Sequence, residues 1–182
     1  MPDLLYKIDI NWTLFLDRDG VINKRPPGNY IKKWKDFKFL PGVLDALKIL
    51  SEKFPRIIVI TNQQGIGKGL MTEKDVHEIH IKMQQLVSDH GGRIDVVYYC
   101  PDLATDADNC RKPCTFMAEQ AKKDFPKIDF SKSIMAGDTV SDMEFGRKAG
   151  MKTVYIDTNE EPLAQGVANA TFPDLLSFAR AI

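Results

Sequence analysis

Five short apolar runs, each separated from the next by a stretch of helical periodicity, constrain this chain more tightly than any other feature. The runs Trp12 to Leu16, Arg56 to Ile60, Val96 to Tyr99, Ser133 to Ala136 and Thr153 to Ile156 are rich in β-branched residues. Several stay apolar without strict alternation, as strands covered on both faces do. Between them, Val43 to Lys53 sets Leu44, Leu47 and Leu50 on one helical face, and Glu73 to His90 follows an N-cap at Thr72. Phe116 to Phe125 and Ser141 to Ala149 complete the series of helices. Strand and helix alternate, so a parallel, doubly wound, Rossmann-like α/β sheet is expected. A chain of 182 residues suffices for one such domain and is short for two, so residues 1–182 are read as a single domain.

Two segments break the rhythm. Lys24 to Leu40 is basic, carries Pro, Gly and Trp34, and follows the first run directly; Pro101 to Pro113 is polar, bears cysteine and follows the third. In an open α/β sheet both would project from the carboxyl ends of strands and overhang a site there. Twenty-five basic and twenty-five acidic side chains cancel. Without a global positive field, neither nucleic acid nor an anionic membrane is expected as a partner. The segment Met1 to Ile10 carries charges where a signal peptide needs an apolar core, and no run approaches membrane-spanning length, so a cytosolic protein is expected.

The chemistry-bearing residues lie where the apolar runs end. Asp17 and Asp19 close the first run and are followed by Gly20. Two carboxylates so near each other repel unless a cation lies between them or one takes a proton, which points to a metal, an acid/base role, or both, against the alternative of a surface turn. The second run leads into Thr61-Asn62-Gln63-Gln64-Gly65, whose hydroxyl, amides and glycine-rich backbone could hold an anion or simply turn the chain. Arg111-Lys112-Pro113 follows the third run, a basic pair that could neutralise a phosphoryl group. After the fourth run, Gly137-Asp138 and Asp142 are spaced so that both carboxylates can face one hard cation, with Mg²⁺ favoured; an N-cap role for Asp138 is the competing reading. His77, His80 and His90, on or beside the second helix, are read as surface or core residues.

An Asp-x-Asp, a strand-end Thr, a Lys and a Gly-Asp-x-x-x-Asp, in that order, resemble the four motifs of the haloacid dehalogenase superfamily of phosphohydrolases. The stretches Phe15 to Asn23, Thr61 to Ile66, Tyr98 to Pro101 and Cys110 to Pro113, with Phe37 to Val43, are similar to the small branch containing heptose-1,7-bisphosphate 7-phosphatases and histidinol-phosphate phosphatases. That resemblance implies short loop inserts and no large cap domain. It implies Asp17 as the nucleophile that forms an aspartyl-phosphate, and Asp19 as the acid and then the base. It places Mg²⁺ on Asp17, the Asp19 carbonyl and Asp138, with Asp142 acting through water or from behind. Thr61, Asn62 and Lys112 would cradle the phosphoryl oxygens, Arg111 would read a distal group, and Lys24 to Asn29, Gln63 and Gln64 would line the entrance. The implied substrate is a small phosphorylated sugar or alcohol, foremost D-glycero-D-manno-heptose 1,7-bisphosphate, with histidinol phosphate or another small metabolite as the alternative. A monomer is expected.

Two departures from the branch stand out. Its members commonly hold a structural zinc through Cys-x-His and Cys-x-Cys, whereas the aligned positions here are Cys100, Asp102, Asp108 and Cys110. Structural zinc favours thiolate and imidazole, so this loop is weighed between zinc, a reduced metal-free state and a Cys100–Cys110 disulfide formed only after purification, with Cys114 as a substitute ligand. Thr139 stands where the heptose phosphatases often carry a lysine, which bears on substrate identity and leaves the aspartyl chemistry untouched.

Overall fold

The computed structural model describes residues 8–26, 28–158 and 166–182. The charged amino-terminal residues 1–7 and Pro27, in the expected entrance loop, lie outside that set. Among the described residues, six strands form one parallel sheet: β1 (Thr13–Leu16), β2 (Arg56–Asn62), β3 (Val96–Cys100), β4 (Ser133–Gly137), β5 (Lys152–Ile156) and β6 (Ala170–Phe172). Their spatial order is β3-β2-β1-β4-β5-β6. Chain order reverses beside β1, whose neighbours β2 and β4 lead away in opposite directions, and such a switch point leaves a crevice at the carboxyl ends of the strands.

Five α-helices among the described residues cover the sheet: α1 (Val43–Lys53), α2 (Glu73–Asp89), α3 (Phe116–Asp124), α4 (Val140–Ala149) and α5 (Leu175–Ala181). Side chains alternate across each strand, so β1 sends Leu14 and Leu16 to one face and Phe15 to the other. On the first face, Leu47 and Leu50 of α1, Ile79 and Met83 of α2 and Phe178 of α5 pack over Leu16, Val59 and Ala136. On the second, Met117 and Ala121 of α3 and Phe145 of α4 pack over Phe15, Ile58 and Met135. Both faces of the central strands are therefore dry, which is why those runs are apolar throughout.

The expected helices begin and end within a residue or two of their observed bounds. Thr72 caps α2 in a reciprocal capping box with Asp75. A second box, Thr139 with Asp142, starts α4, so the N-cap is Thr139 and Asp138 is released for other work. The strand β6 and helix α5 have no counterpart among the runs and periodic stretches of the sequence. β6 is three residues long and α5 is a short helix capped by Asp174, so neither carries enough periodicity to stand out locally. No described helix is long and apolar enough to cross a membrane.

Both interrupting segments fold back over the crevice. The first is pinned at its base, where Lys24 N–H donates to Lys38 O at 2.8 Å and Leu40 N–H to Ile22 O at 3.0 Å. Phe37 anchors it, stacked on Trp34 and edge-on to Phe39. The second meets the β2–α2 loop, where Gly67 N–H donates to Pro101 O and Gln64 accepts from Ala104 N–H.

Candidate active site

Asp17 leaves β1 still held by the sheet, its N–H donating to Ala136 O on β4 at 2.9 Å. This tether brings Asp17 beside Asp138, one residue beyond the end of β4, although 120 residues separate them in the chain. Gly20 makes the approach feasible. Its φ is +97°, and a Cβ there would lie 1.9 Å from Asp138 Oδ2, so only glycine fits both the turn and the neighbour.

Lys112 is the buried hub of the site. Its Nζ lies 2.7 Å from Asp17 Oδ1 and 2.6 Å from Asp142 Oδ1, and it donates to Ile60 O at 2.9 Å. Burial would lower its pKa, but the Asp142 and Asp17 charges outweigh that and hold the ammonium protonated. Asn62, at the end of β2, grips the Lys112 backbone from both sides, accepting from its N–H at 2.9 Å and donating to its carbonyl at 3.3 Å. The amide expected to touch phosphate thus positions the lysine. Asp142 is occupied too: its second oxygen accepts from Thr139 Oγ1 at 2.6 Å, leaving it behind Lys112.

Asp19 is held by a different set of partners. Arg18, fully buried, donates to both Asp19 oxygens through Nη2 at 2.9 Å, and Asn23 and Gln63 each add a bond at 2.9 Å. Burial alone would raise this carboxyl, yet the Arg18 charge and the surrounding donors hold it below the usual carboxylate range. Arg18 is in turn fixed by His80 Nε2, 3.0 Å from its Nη1. Since arginine can only donate, His80 must accept, which requires a neutral imidazole. Burial first, then Arg18, push the His80 pKa down to about 3. His80 is therefore a core residue with a task in the site; only its place on the buried face of α2 hinted at this.

Gln63 and Gln64 border the cleft, but as struts. Gln63 is buried and links Asp19 to Thr61 Oγ1, while Gln64 bridges the Tyr30 hydroxyl and the Ala104 amide. The cleft is about 530 Å³ and is lined by Asp17, Asp19, Thr61 and Lys112 at its floor and by Arg25, Lys68 and Arg111 among its walls. That is the size range of a small-metabolite pocket. Arg25 falls in the Lys24 to Asn29 segment expected at the entrance, but its contact with Asp138 and the place of Lys68 have no sequence signal, since no spacing rule assigns a loop cation to a distant carboxylate.

The oxygens of Asp17, Asp138 and Asp142 gather within 4.8 Å of one another. Burial, only partly countered by Lys112, raises Asp17 to about 6; burial and then the Asp17 charge raise Asp138 to about 8, against the pull of Arg25. Such excess negative charge on hard oxygen donors fits a divalent cation. Arg25 already serves as a cation there, its Nη2 donating to Asp138 Oδ1 at 2.9 Å and to the Asp19 carbonyl at 2.8 Å.

The cysteine loop is organised differently from a zinc site. Cys100 and Cys110 are joined as a disulfide, so in this state neither offers a thiolate. Asp102 accepts from Cys110 N–H at 2.9 Å, Asp108 is exposed, outside the Cys100, Asp102 and Cys110 cluster, and Cys114 is exposed and free. The disulfide ties the end of β3 to the residue preceding Arg111.

The family model described as polynucleotide kinase 3 phosphatase matches residues 10–163. A D-glycero-alpha-D-manno-heptose-1,7-bisphosphate 7-phosphatase of Mycobacterium tuberculosis is 38% identical over 173 residues, covering 94% of this chain and 91% of its own. A D-glycero-beta-D-manno-heptose-1,7-bisphosphate 7-phosphatase of Haemophilus influenzae is 32% identical over 181 residues, covering 94% and 96%. Among solved structures, the D,D-heptose 1,7-bisphosphate phosphatase of B. bronchiseptica, complexed with magnesium and phosphate, superposes with a TM-score of 0.82 at 27% identity, covering 92% of this chain and 96% of that one.

Proposed function

The chain belongs to the haloacid dehalogenase superfamily of phosphatases, in the group that includes the heptose-1,7-bisphosphate 7-phosphatases, and from this premise we propose that it is a Mg²⁺-dependent phosphomonoesterase removing the 7-phosphate of D-glycero-D-manno-heptose 1,7-bisphosphate. The observation that carries the reading is the position of Asp17. Its carboxylate stands on the floor of the cleft between a buried ammonium, Lys112, and the oxygens of Asp138 and the Asp19 carbonyl.

Asp17, the Asp19 carbonyl and Asp138 would hold Mg²⁺, with Asp142 kept close by Lys112. When bound, the cation lessens the repulsion between an anionic nucleophile and an anionic phosphate. Asp17 attacks phosphorus, forming the aspartyl-phosphate as the bond to the sugar oxygen breaks. Lys112 and Thr61 face the phosphoryl oxygens, and Lys112 is held on target by Asn62. The departing alkoxide takes a proton from Asp19. Asp19 then removes a proton from water, which attacks the aspartyl-phosphate and frees inorganic phosphate. Donors from Arg18, Asn23 and Gln63 favour its ionised form, which suits the second half of the cycle. For the first half, Asp19 must take up a proton and loosen that clamp.

A bisphosphate suits the walls. Arg25, Lys68 and Arg111 border one cleft, so a distal phosphate meets cations there. Histidinol phosphate would bring its ammonium to the same cations. Phosphate release from the alpha and beta heptose bisphosphates, histidinol phosphate and simple sugar phosphates, assayed with Mg²⁺, tests the proposal. A heptose bisphosphate is expected to exceed histidinol phosphate by about tenfold or more in kcat/KM, the effect of about 1.4 kcal/mol. A smaller preference would refute the substrate assignment.

A further inference from the structure

Arg25 occupies an unusual place for an arginine of a substrate-facing loop. Its Nη2 donates to Asp138 at 2.9 and 3.1 Å and to the Asp19 carbonyl at 2.8 Å, and it lies 3.9 Å from Asp17 Oδ2. These are the three groups that would hold the divalent cation. A single guanidinium nitrogen thus hydrogen-bonds two of the three groups a metal needs and stands within ion-pair range of the third. A Mg²⁺ ion seeks the same oxygens at about 2.0–2.1 Å and carries charge of the same sign. Guanidinium and metal cannot both sit there.

The remainder of Arg25 is arranged for departure. Its side chain is 43% exposed, against 2% for Lys112, so no packed core confines it. It lines the cleft together with its chain neighbour Pro26 and with Asn29 and Tyr30 of the same loop. A guanidinium expelled from Asp138 but tethered at this wall stays beside the cleft, where Lys68 and Arg111 already stand.

We propose that Arg25 is an exchangeable internal cation: it holds the Asp138–Asp19–Asp17 oxygens together in the metal-free protein, is displaced when Mg²⁺ binds, and then becomes a specificity-determining contact for the substrate's distal anion. The inference rests on the Mg²⁺-dependent reading above. Two consequences follow from mutual exclusion. Metal affinity is reduced by the fraction of molecules in which Arg25 covers the site, because only the uncovered fraction can bind. Metal also precedes substrate, since the arginine is free to meet the distal anion only after the cation has replaced it.

Mg²⁺ titration calorimetry on the intact protein in phosphate-free buffer, comparing wild type with Arg25→Gln and Arg25→Lys, tests the first consequence. Arg25→Gln is expected to bind Mg²⁺ about fivefold or more tightly than wild type, with Arg25→Lys between them, since the uncovered fraction rises as the internal cation weakens. Its metal-free melting temperature should fall while the rise on adding Mg²⁺ grows. Equal or weaker Mg²⁺ binding by Arg25→Gln would overturn the exchange. The second consequence is read at saturating Mg²⁺: Arg25→Gln should raise KM for a sugar bisphosphate several-fold more than KM for the matching monophosphate. Equal effects on both would overturn the specificity role. Wild-type protein that binds no Mg²⁺ would instead refute the underlying metal-dependent reading, a result distinct from either of these.

Discussion

Replacing Lys112 by methionine removes one charge while keeping most of the side-chain volume, and its consequences can be worked from the geometry. The ammonium is buried and pairs with two carboxylates, Asp17 at 2.7 Å and Asp142 at 2.6 Å. Deleting one partner of a buried ion pair strands the other and costs about 3–5 kcal/mol. For a chain of this size each kcal/mol moves the midpoint by about 2–4 °C, so a loss of roughly 10 °C is expected at pH 8 without metal. The cost should shrink in acid. Asp17 is already raised to about 6 by burial, with Lys112 the main force pulling it down. Without the lysine it rises further, and the stranded carboxyl takes a proton instead of bearing an unpaired charge. A raised carboxyl gives stability that is present below its unfolded pKa and lost as pH climbs through the folded value. Lys112→Met should therefore approach wild type as pH falls from 8 towards 5. Turnover should fall by about 10²–10³-fold, the loss typical of a preorganised charge aimed at a reacting oxyanion. Thermal melts at pH 5 and 8 and phosphate release with saturating Mg²⁺ provide the measurements. A melting point within about 2 °C of wild type at pH 8, on the scale just used, together with turnover within tenfold, would refute the hub assigned to Lys112.

Gly20→Ala places a methyl 1.9 Å from Asp138 Oδ2 in a backbone with φ of +97°. It should destabilise the fold by about 1–3 kcal/mol and weaken Mg²⁺ binding, as read by melting and calorimetry; unchanged Mg²⁺ affinity would argue against Asp138 as a ligand. His80 is depressed to about 3 from an ordinary 6.5, so its contribution is complete above pH 6.5 and lost as pH falls towards 3. Urea unfolding should show wild type losing about 1.4 kcal/mol per pH unit relative to His80→Gln across that window, and a constant difference from pH 7 to 4 would refute a neutral, buried His80.

Much of the architecture was legible because it is written in local pattern. Continuous apolar runs mark strands buried on both faces, the Thr72 cap marks the start of α2, and Asp17, Asp19, Thr61, Lys112 and Asp138 stand out as candidates because they close or follow those runs. The carboxyl ends of parallel strands share one edge of the sheet, so position along the chain already implied proximity in space. The missed β6 and α5 are too short to show a period, and they are held by pairing and packing with β5 and α1.

What the residue string determined by itself is therefore the fold class and the set of acidic, hydroxyl and basic groups delivered to one edge. The tertiary structure decided which group each one meets. Arg25 reaches Asp138 across 113 positions and Arg18 reaches His80 across 62, and no periodicity encodes such pairs. Asn62, Gln63 and Asp142, chosen as ligands for phosphate, entrance or metal, proved to be engaged with Lys112, Asp19 and the start of α4. The physical reason is the same in each case. A buried polar atom must find a partner, and which partner lies within 3 Å is settled only when the strands are stacked and the loops closed over them.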